Sequence, residues 1–382
     1  SVLREIDDSG LGNGWSHNYT YKADIVDYSA AISLPNGGGM TFDRNLDGTS
    51  WTTRAGNFYT LTESDDGGLL LSDGQGKTIT FDADGNGTKV VEADGTVTDL
   101  EYEDGKLTKV TTNTGSFTFA YENEHIASIT DDAGRSVQFS YDGEDLAGST
   151  NPDGDSLLYT YEVHKITSVT DFNGTKMVEN TYDDSNQVIS QTVADRDSAT
   201  FTYDIGSKTN TTTTSGGQTV TIVYDENDLI TSQTDDAGTI TYTYDDLCRK
   251  ISETDRNGNA TSYSYVGDTA NIASITYPDG TTESYEYNDR YQVIAVTQKD
   301  SSGLHYEYNE QGKVTKSTDA NGGEITYSYN GKGFLTSSTD ALGNTTTYTT
   351  DDKGNITSAT DPLGNKVSYE YDTAGRLTKK TT

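Results

Sequence analysis

The chain has 382 residues, with 61 acidic against 26 basic side chains and a net charge of −35. A surface of that sign repels nucleic acid and anionic lipid, which excludes both as partners, and no apolar run is long enough for a membrane-spanning helix. A single cysteine, Cys248, excludes a disulfide framework and a cysteine metal site.

The first hundred residues are irregular but strand-rich. A glycine-rich opening, Gly10-Leu-Gly-Asn-Gly14-Trp15-Ser-His17-Asn-Tyr19-Thr-Tyr21, precedes runs such as Thr78-Ile-Thr-Phe81 and Lys89-Val-Val91. Gly37-Gly38-Gly39 and Asp65-Asp66-Gly67-Gly68 mark loops. This region is expected to be β, with longer hairpins and a packing layer around Trp15 and Trp51. Two of its segments alternate oxygen-bearing side chains before a glycine, as a hard cation requires: Asp43, Asn45, Asp47 and Gly48, then Asp82, Asp84, Asn86 and Gly87. Their twelfth residues are Arg54 and Ala93, in strand context and without flanking helices. Acidic hairpin turns are therefore the favoured account, and no metal or cofactor is assigned.

From Glu101 the chain repeats. An aromatic anchor ends one short alternating run per unit: Tyr102, Tyr121, Tyr141, Tyr161, Tyr182, Tyr203, Tyr224, Tyr244, Tyr265, Tyr287, Tyr308, Tyr329, Thr350 and Tyr371, at spacings of 19 to 22 residues. A fixed period of this length is the signature of a repeat architecture. Each unit holds two runs rich in Tyr, Thr, Ile, Val and Ser, residues that suit strands. In Thr326-Tyr327-Ser328-Tyr329 the two tyrosines share one face and Thr326 and Ser328 the other. Between the runs stand Asp-x-x-Gly or Asn-x-x-Gly tetrads, Asn330 to Gly333 and Asp340 to Gly343 among them, which favour a type I turn closed by a left-handed glycine. One unit is thus a β-hairpin, and the fold class is all-β: fourteen hairpins paired edge to edge into one antiparallel repeat sheet. Rows of tyrosine let a chain only 31% hydrophobic bury ring area while each hydroxyl stays wet or bonded. The predicted organisation is an N-terminal β region, 1–100, followed by the repeat array, 101–382. The chain opens at Ser1 without Met and ends within the pattern at Thr382, and it reads as a piece of a longer polypeptide.

No catalytic, cofactor-binding or metal site emerges from these residues. The paired carboxylates Asp131-Asp132 and Asp235-Asp236 could serve a glycosidase, but they stand where turns begin. Cys248 occupies a turn slot that is Gly375 in the unit at Tyr371, a drifted turn position rather than a nucleophile. His17 beside Trp15 reads as a packing or loop residue. His125 and His164 fall near worn turns, which predicts surface residues, and His305 has no partner in ligand spacing.

Several of these motifs carry a family resemblance. Tyr369-Glu-Tyr-Asp-Thr-Ala-Gly-Arg-Leu-Thr378 resembles the YD-repeat signature of the Rhs family, as do Thr339-Asp-Ala-Leu-Gly-Asn344 and Thr360-Asp-Pro-Leu-Gly-Asn365. Gly12-Asn-Gly-Trp-Ser-His-Asn-Tyr19 is similar to the segment that precedes the repeats in bacterial Rhs proteins. The resemblance covers essentially the whole chain. It implies a β-sheet strip that spirals into a hollow shell, related to the C components of insecticidal toxin complexes and to teneurins. The family's core segment with its aspartic-protease residues and its variable C-terminal toxin are absent here. What the resemblance implies for this chain is therefore scaffold rather than enzyme: a secreted or cell-surface shell segment, bacterial, shielding a C-terminal toxin or effector, with delivery machinery as a further partner. The alternative is an adhesion or carbohydrate-binding module on the same repeats, with a glycan or cell-surface ligand. Twenty-eight strands at roughly 4.8 Å each give a strip of about 130 Å, enough for about one turn some 40 Å across, open at both ends. A basic cargo would be favoured if the acidic charge lies on the inner face.

Overall fold

The computed structural model describes residues 9–26, 28–35, 37–45, 50–54, 56–64, 66–194, 196, 198–372 and 375–382. Asp47, Gly48, Asp65, Thr373 and Ala374, named above, lie outside them. Fourteen antiparallel hairpins appear where the anchors place them, from Val97–Glu103 with Lys106–Thr112 to Lys366–Tyr371 with Leu377–Thr381. Alternation decides the faces: in Glu324–Tyr329, Tyr327 and Tyr329 are half-buried while Thr326 and Ser328 are exposed. The strip is longer than the tyrosines announce. Four more strands, Thr60–Glu63, Leu69–Ser72, Thr78–Phe81 and Gly87–Val91, join it upstream, and the ladder crosses residue 100 without a break. The result is one antiparallel sheet of 32 strands, each paired with its sequence neighbour.

The anchor tyrosine does more than bury a ring. Between Val314–Thr318 and Glu324–Tyr329 the backbone ladder runs only from Thr318 opposite Glu324 to Lys316 opposite Thr326, then stops. Beyond that point Tyr329 crosses the gap, and its hydroxyl donates to the carbonyl oxygen of Val314 at 2.8 Å. The same bond, from anchor to a carbonyl 14 to 16 residues upstream, is made by Tyr121, Tyr141, Tyr161, Tyr182, Tyr203, Tyr244, Tyr265, Tyr287, Tyr308 and Tyr371, at 2.7–3.1 Å. Each hydroxyl thus supplies a rung where adjacent hairpins lack backbone bonds, and a buried carbonyl is spared the cost of standing unpaired. Burial pushes the Tyr121 hydroxyl up to about 12, so it remains a donor.

The turns close as the tetrads require. Asp340 Oδ1 accepts the backbone N–H groups of Leu342 and Asn344, the Gly343 N–H donates to the Asp340 carbonyl at 3.0 Å, and Gly343 takes φ +83°. Cys248 fills the same slot at φ 60°, donating its N–H to the Asp245 carbonyl, which bears out the reading of a drifted turn residue.

The strip is wound. The turn Glu92–Thr96 meets the turn Asn309–Lys313, where Lys313 Nζ pairs with Asp94 at 2.6 Å. Asp132 likewise pairs with Lys353 at 3.0 Å. In both cases the two turns are twenty-one strands apart along the sheet and come from its opposite edges. The sheet is therefore a spiral of about twenty-one strands per turn whose successive turns stack edge on edge. Thirty-two strands make about one and a half turns, against the single turn expected. At about 4.8 Å per strand the circumference is roughly 100 Å and the backbone-to-backbone width about 32 Å, tighter than the 40 Å estimate.

A small sheet precedes the strip: β1 (Lys22–Val26), β2 (Ser29–Ser33), β3 (Gly39–Arg44) and β4 (Trp51–Thr53). Its Ala23, Ala30, Ile32 and Phe42 form one core with Leu69, Leu71, Ile79, Phe81, Val110 and Ile126 of the strip. Trp15 and Trp51 pack against this core, as expected.

Two outcomes follow from the rungs and the turns. Tyr329→Phe keeps the ring and loses the rung, so it lowers stability by about 1 kcal/mol in urea unfolding; an unchanged midpoint would show the rung to be idle. The carboxyls of Asp340 and Asp361 are held below the usual value, first by the side-chain amides of Asn344 and Asn365 and then by those residues' backbone N–H groups. Partial burial works the other way at Asp94, but Lys313 and Thr96 hold its carboxyl down to about 2. Groups whose folded pKa is depressed contribute stability above the unfolded value near 3.8 and lose it as pH falls through the folded one. The melting temperature therefore drops as pH is lowered from about 4 toward 2; a flat profile over that window contradicts the turn account.

Candidate functional site

One face of the strip is the concave one. The small sheet shares its core with side chains on strip strands from Leu61 to Ile126, eight strands in succession, more than a third of a turn. The small sheet, with Leu11 and its neighbours, covers that arc as one packed body, which places it inside the curve. Those strip residues lie on the tyrosine face, where Phe119 precedes Tyr121 by two. The tyrosine rows therefore line the bore.

The inner face is hydroxylic and aromatic rather than charged. Cross-strand neighbours on it run Tyr306, Ser317 and Ile325, then Tyr348, Ala359 and Val367. Several of the charges that do point inward are compensated locally. Lys250 pairs with Glu253 at 2.7 Å, and Glu283 accepts the hydroxyls of Tyr277 and Tyr285. Burial and, after it, the bond to Glu283 push the Tyr285 hydroxyl up to about 12. On the opposite face Glu101 pairs with Lys109 and Glu370 with Lys379. Asp94, Asp132, Asp340 and Asp361 stand at the turns. The condition under which a basic cargo was favoured, acidic charge on the inner face, is not met.

Stacked sheets pack about 10 Å apart, so side chains project about 5 Å from each wall. Where the small sheet does not fill it, the clear bore is then roughly 20 Å. A compact domain of ~100 residues measures about 34 Å across and does not fit within it.

One rim of the bore is covered. The segment 9–22 runs along the strip edge that the second turn does not stack upon. The Asn13 N–H donates to the Glu144 carbonyl at 3.0 Å, Ile126 N–H to Gly10, Ala23 N–H to Gly85 and Gly87 N–H to Tyr21. Trp15 packs on Tyr159 at 4.9 Å and its indole N–H donates to the Tyr161 hydroxyl at 2.8 Å. Gly12 is required here: at φ +83° a Cβ would stand 2.3 Å from the Glu144 oxygen. A repeat array needs a terminal cap, and this strap supplies it. The sequence placed the strap's residues in a packing layer but showed no sign that they follow an edge.

The other sequence candidates resolve as follows. Asp82 and Asn86 form a hairpin turn, with Asp82 Oδ1 accepting the N–H groups of Asp84 and Asn86. The Lys22 ammonium reaches the Asp84 carbonyl and Asn86 Oδ1, supplying the positive charge that a cation would have brought. Asp131 closes a turn onto Arg135, Asp132 sits in the seam, and Asp235 bonds Arg256. His17 packs against Phe119 in the strap, as expected. His164 is exposed and bonds Asp145. His125 is not a free surface residue: only 14% of its side chain is exposed, it stacks on Tyr141 at 4.4 Å and it faces Glu144. Its burial comes from a neighbouring hairpin and the strap, which local turn chemistry does not reveal.

The RHS Repeat family model matches residues 224–260, 308–345 and 351–382. No curated protein matches the chain. Among solved structures, the crystal structure of TcdB2-TccC3-Cdc42 aligns with 91% of this chain at 13% identity and a TM-score of 0.58, and that of TcdB2-TccC3-TEV with 94% at 13% and 0.56. The chain spans 22% and 24% of those two chains, so it corresponds to about a fifth to a quarter of their length. At such identity the likeness is one of fold, and it is the fold derived above: a long antiparallel strip. The three matched segments, set among the tyrosine-anchored hairpins of the wound sheet, show that the chain carries RHS repeats.

Proposed function

We propose that the chain is a structural segment of an RHS-type shell, the small sheet and strap ahead of Thr60 serving as its capped end and the strip 60–382 as its wall. The shell encloses and shields a toxin or effector segment of the polypeptide to which this strip belongs, and it acts in a secreted or cell-surface bacterial protein with its delivery machinery as a further partner. The observation that carries this reading is the bore. It is lined by neutral tyrosine and hydroxyl side chains, closed at one rim by a strap, and too narrow for a folded domain. Such a lining offers many weak contacts and few charges, which suits an extended chain of any sequence. The bore's width makes the cargo non-globular while enclosed. A carbohydrate-binding role draws no support from the anchor rows, because their hydroxyls are spent on the rungs. The strip acts as a scaffold on this reading, and its carboxylates serve turns and ion pairs.

The test uses the native polypeptide purified whole and treated with trypsin. The expected result is a segment outside the strip that resists cleavage while the strip is wound and becomes sensitive once the strip unfolds in urea. Equal cleavage of that segment in both states contradicts enclosure.

A further inference from the structure

Three of the four histidines, His17, His125 and His164, meet where the strap crosses the rim. His17 belongs to the strap itself. Its ring lies 5.4 Å from that of Phe119, and its Nδ1 accepts the backbone N–H of Tyr19 at 3.1 Å. The ring also bonds the Ser9 carbonyl, which takes the remaining N–H of a neutral imidazole. Both nitrogens are satisfied by that one tautomer. A proton on Nδ1 would face the Tyr19 N–H, with no acceptor for it.

The charged groups around this seat are already engaged. Next to it lies a cavity of 320 Å³ lined by Lys22, Lys106, Glu124, His125 and Glu144, with Asp104 in the adjoining turn. Lys22 is held by Asp84 and Asn86, Lys106 by Asn123 and Glu124, and His125 faces Glu144 at 3.3 Å. Phe119 and Tyr121 supply the wall from the strand Gly115–Glu122.

We propose that the strap is an acid-released clasp: protonation of His17 breaks its seat and frees Ser9–Lys22 from the rim, uncovering that end of the spiral. Burial lowers the His17 pKa to about 4, with the Ser9 carbonyl pulling the other way. The docked value lies below the free value of 6.5, so the clasp holds fully above pH 6.5 and loosens as pH falls toward 4. His164 also stands beside the strap, its Nδ1 2.9 Å from Asn13 Nδ2 and 2.9 Å from Asp145. The His125–Glu144 pair lies wholly within the strip and does not hold the strap. The clasp stands on this geometry alone; only the consequence for an enclosed segment rests on the proposed shell, so the two fail separately.

The test is hydrogen exchange on the full chain, corrected for intrinsic rate, at the amides of Asn13, Ala23, Gly87 and Ile126, which bond across the strap–rim contact. Protection there is expected to fall at least tenfold between pH 7 and pH 4.5 while strip amides such as those of Glu324–Tyr329 stay unchanged. In His17→Gln the strap's protection should not depend on pH. Constant protection in the native chain, or a loss shared equally by the whole strip, overturns the proposal. Should His17→Gln fail to dock at pH 7, the native chain with ring-labelled histidine decides by NMR. Strap release coinciding with His17 protonation supports the clasp, and release without it refutes the clasp.

Discussion

A single hydroxyl proton, passed sideways from each hairpin to the one before it, is what the rest of the structure depends on. A hairpin is marginal in water, and a sheet of hairpins holds only as well as the joints between them. Here most joints are incomplete, because the backbone ladder stops short of the anchor end, as it does between Val314–Thr318 and Glu324–Tyr329. Tyrosine is the residue that can repair this: its ring reaches across the gap and fills it, and its hydroxyl meets the stranded carbonyl. Phenylalanine would fill the same space and leave Val314, Val293 or Ile272 unpaired. The requirement recurs at eleven of the fourteen anchors and so does the residue, which is the physical origin of the period.

Winding follows from how charge is distributed. A chain carrying −35 would be expected to hold itself flat and extended by repulsion. Its acids are instead concentrated at the turns, where many are spent on backbone N–H groups, and on the outer face. One edge presents Asp94 and Asp132, the other Lys313 and Lys353, and these meet in the seam between successive turns. The inner face is left nearly neutral. The same sorting that lets the spiral close on itself gives its bore an uncharged lining, so cohesion and the character of the site have one cause.

Much of this was legible in the residues. The anchors from Tyr102 to Tyr371 located all twenty-eight strands of the array, and the alternation at Tyr327 and Tyr329 assigned the two faces correctly. Cys248 was read as a turn residue because its neighbours at the same slot are glycines. Other features left no local mark. The strands from Thr60 to Val91 carry no anchor tyrosine, since the small sheet covers them and aliphatic residues do the packing. The number of strands per turn is set by the summed twist and curl of the sheet, which no one residue type encodes. The acceptor of each hydroxyl is stranded by a bulge in the preceding hairpin, visible only once register is known. His125 looked like a worn turn because the strap that shelters it is more than a hundred residues away in sequence.

The winding is the central claim, and Asp132 and Lys353 test it most directly. In a Cys248→Ser background, Asp132→Cys and Lys353→Cys would be treated with a short bis-maleimide under native conditions. A wound strip brings the two positions together across the seam, so the account predicts an intramolecular cross-link, seen as a mobility shift that urea pretreatment abolishes. A flat strip would hold the same positions about 100 Å apart, twenty-one strands at roughly 4.8 Å. Two singly modified cysteines and no cross-link would contradict the spiral, and with it the bore.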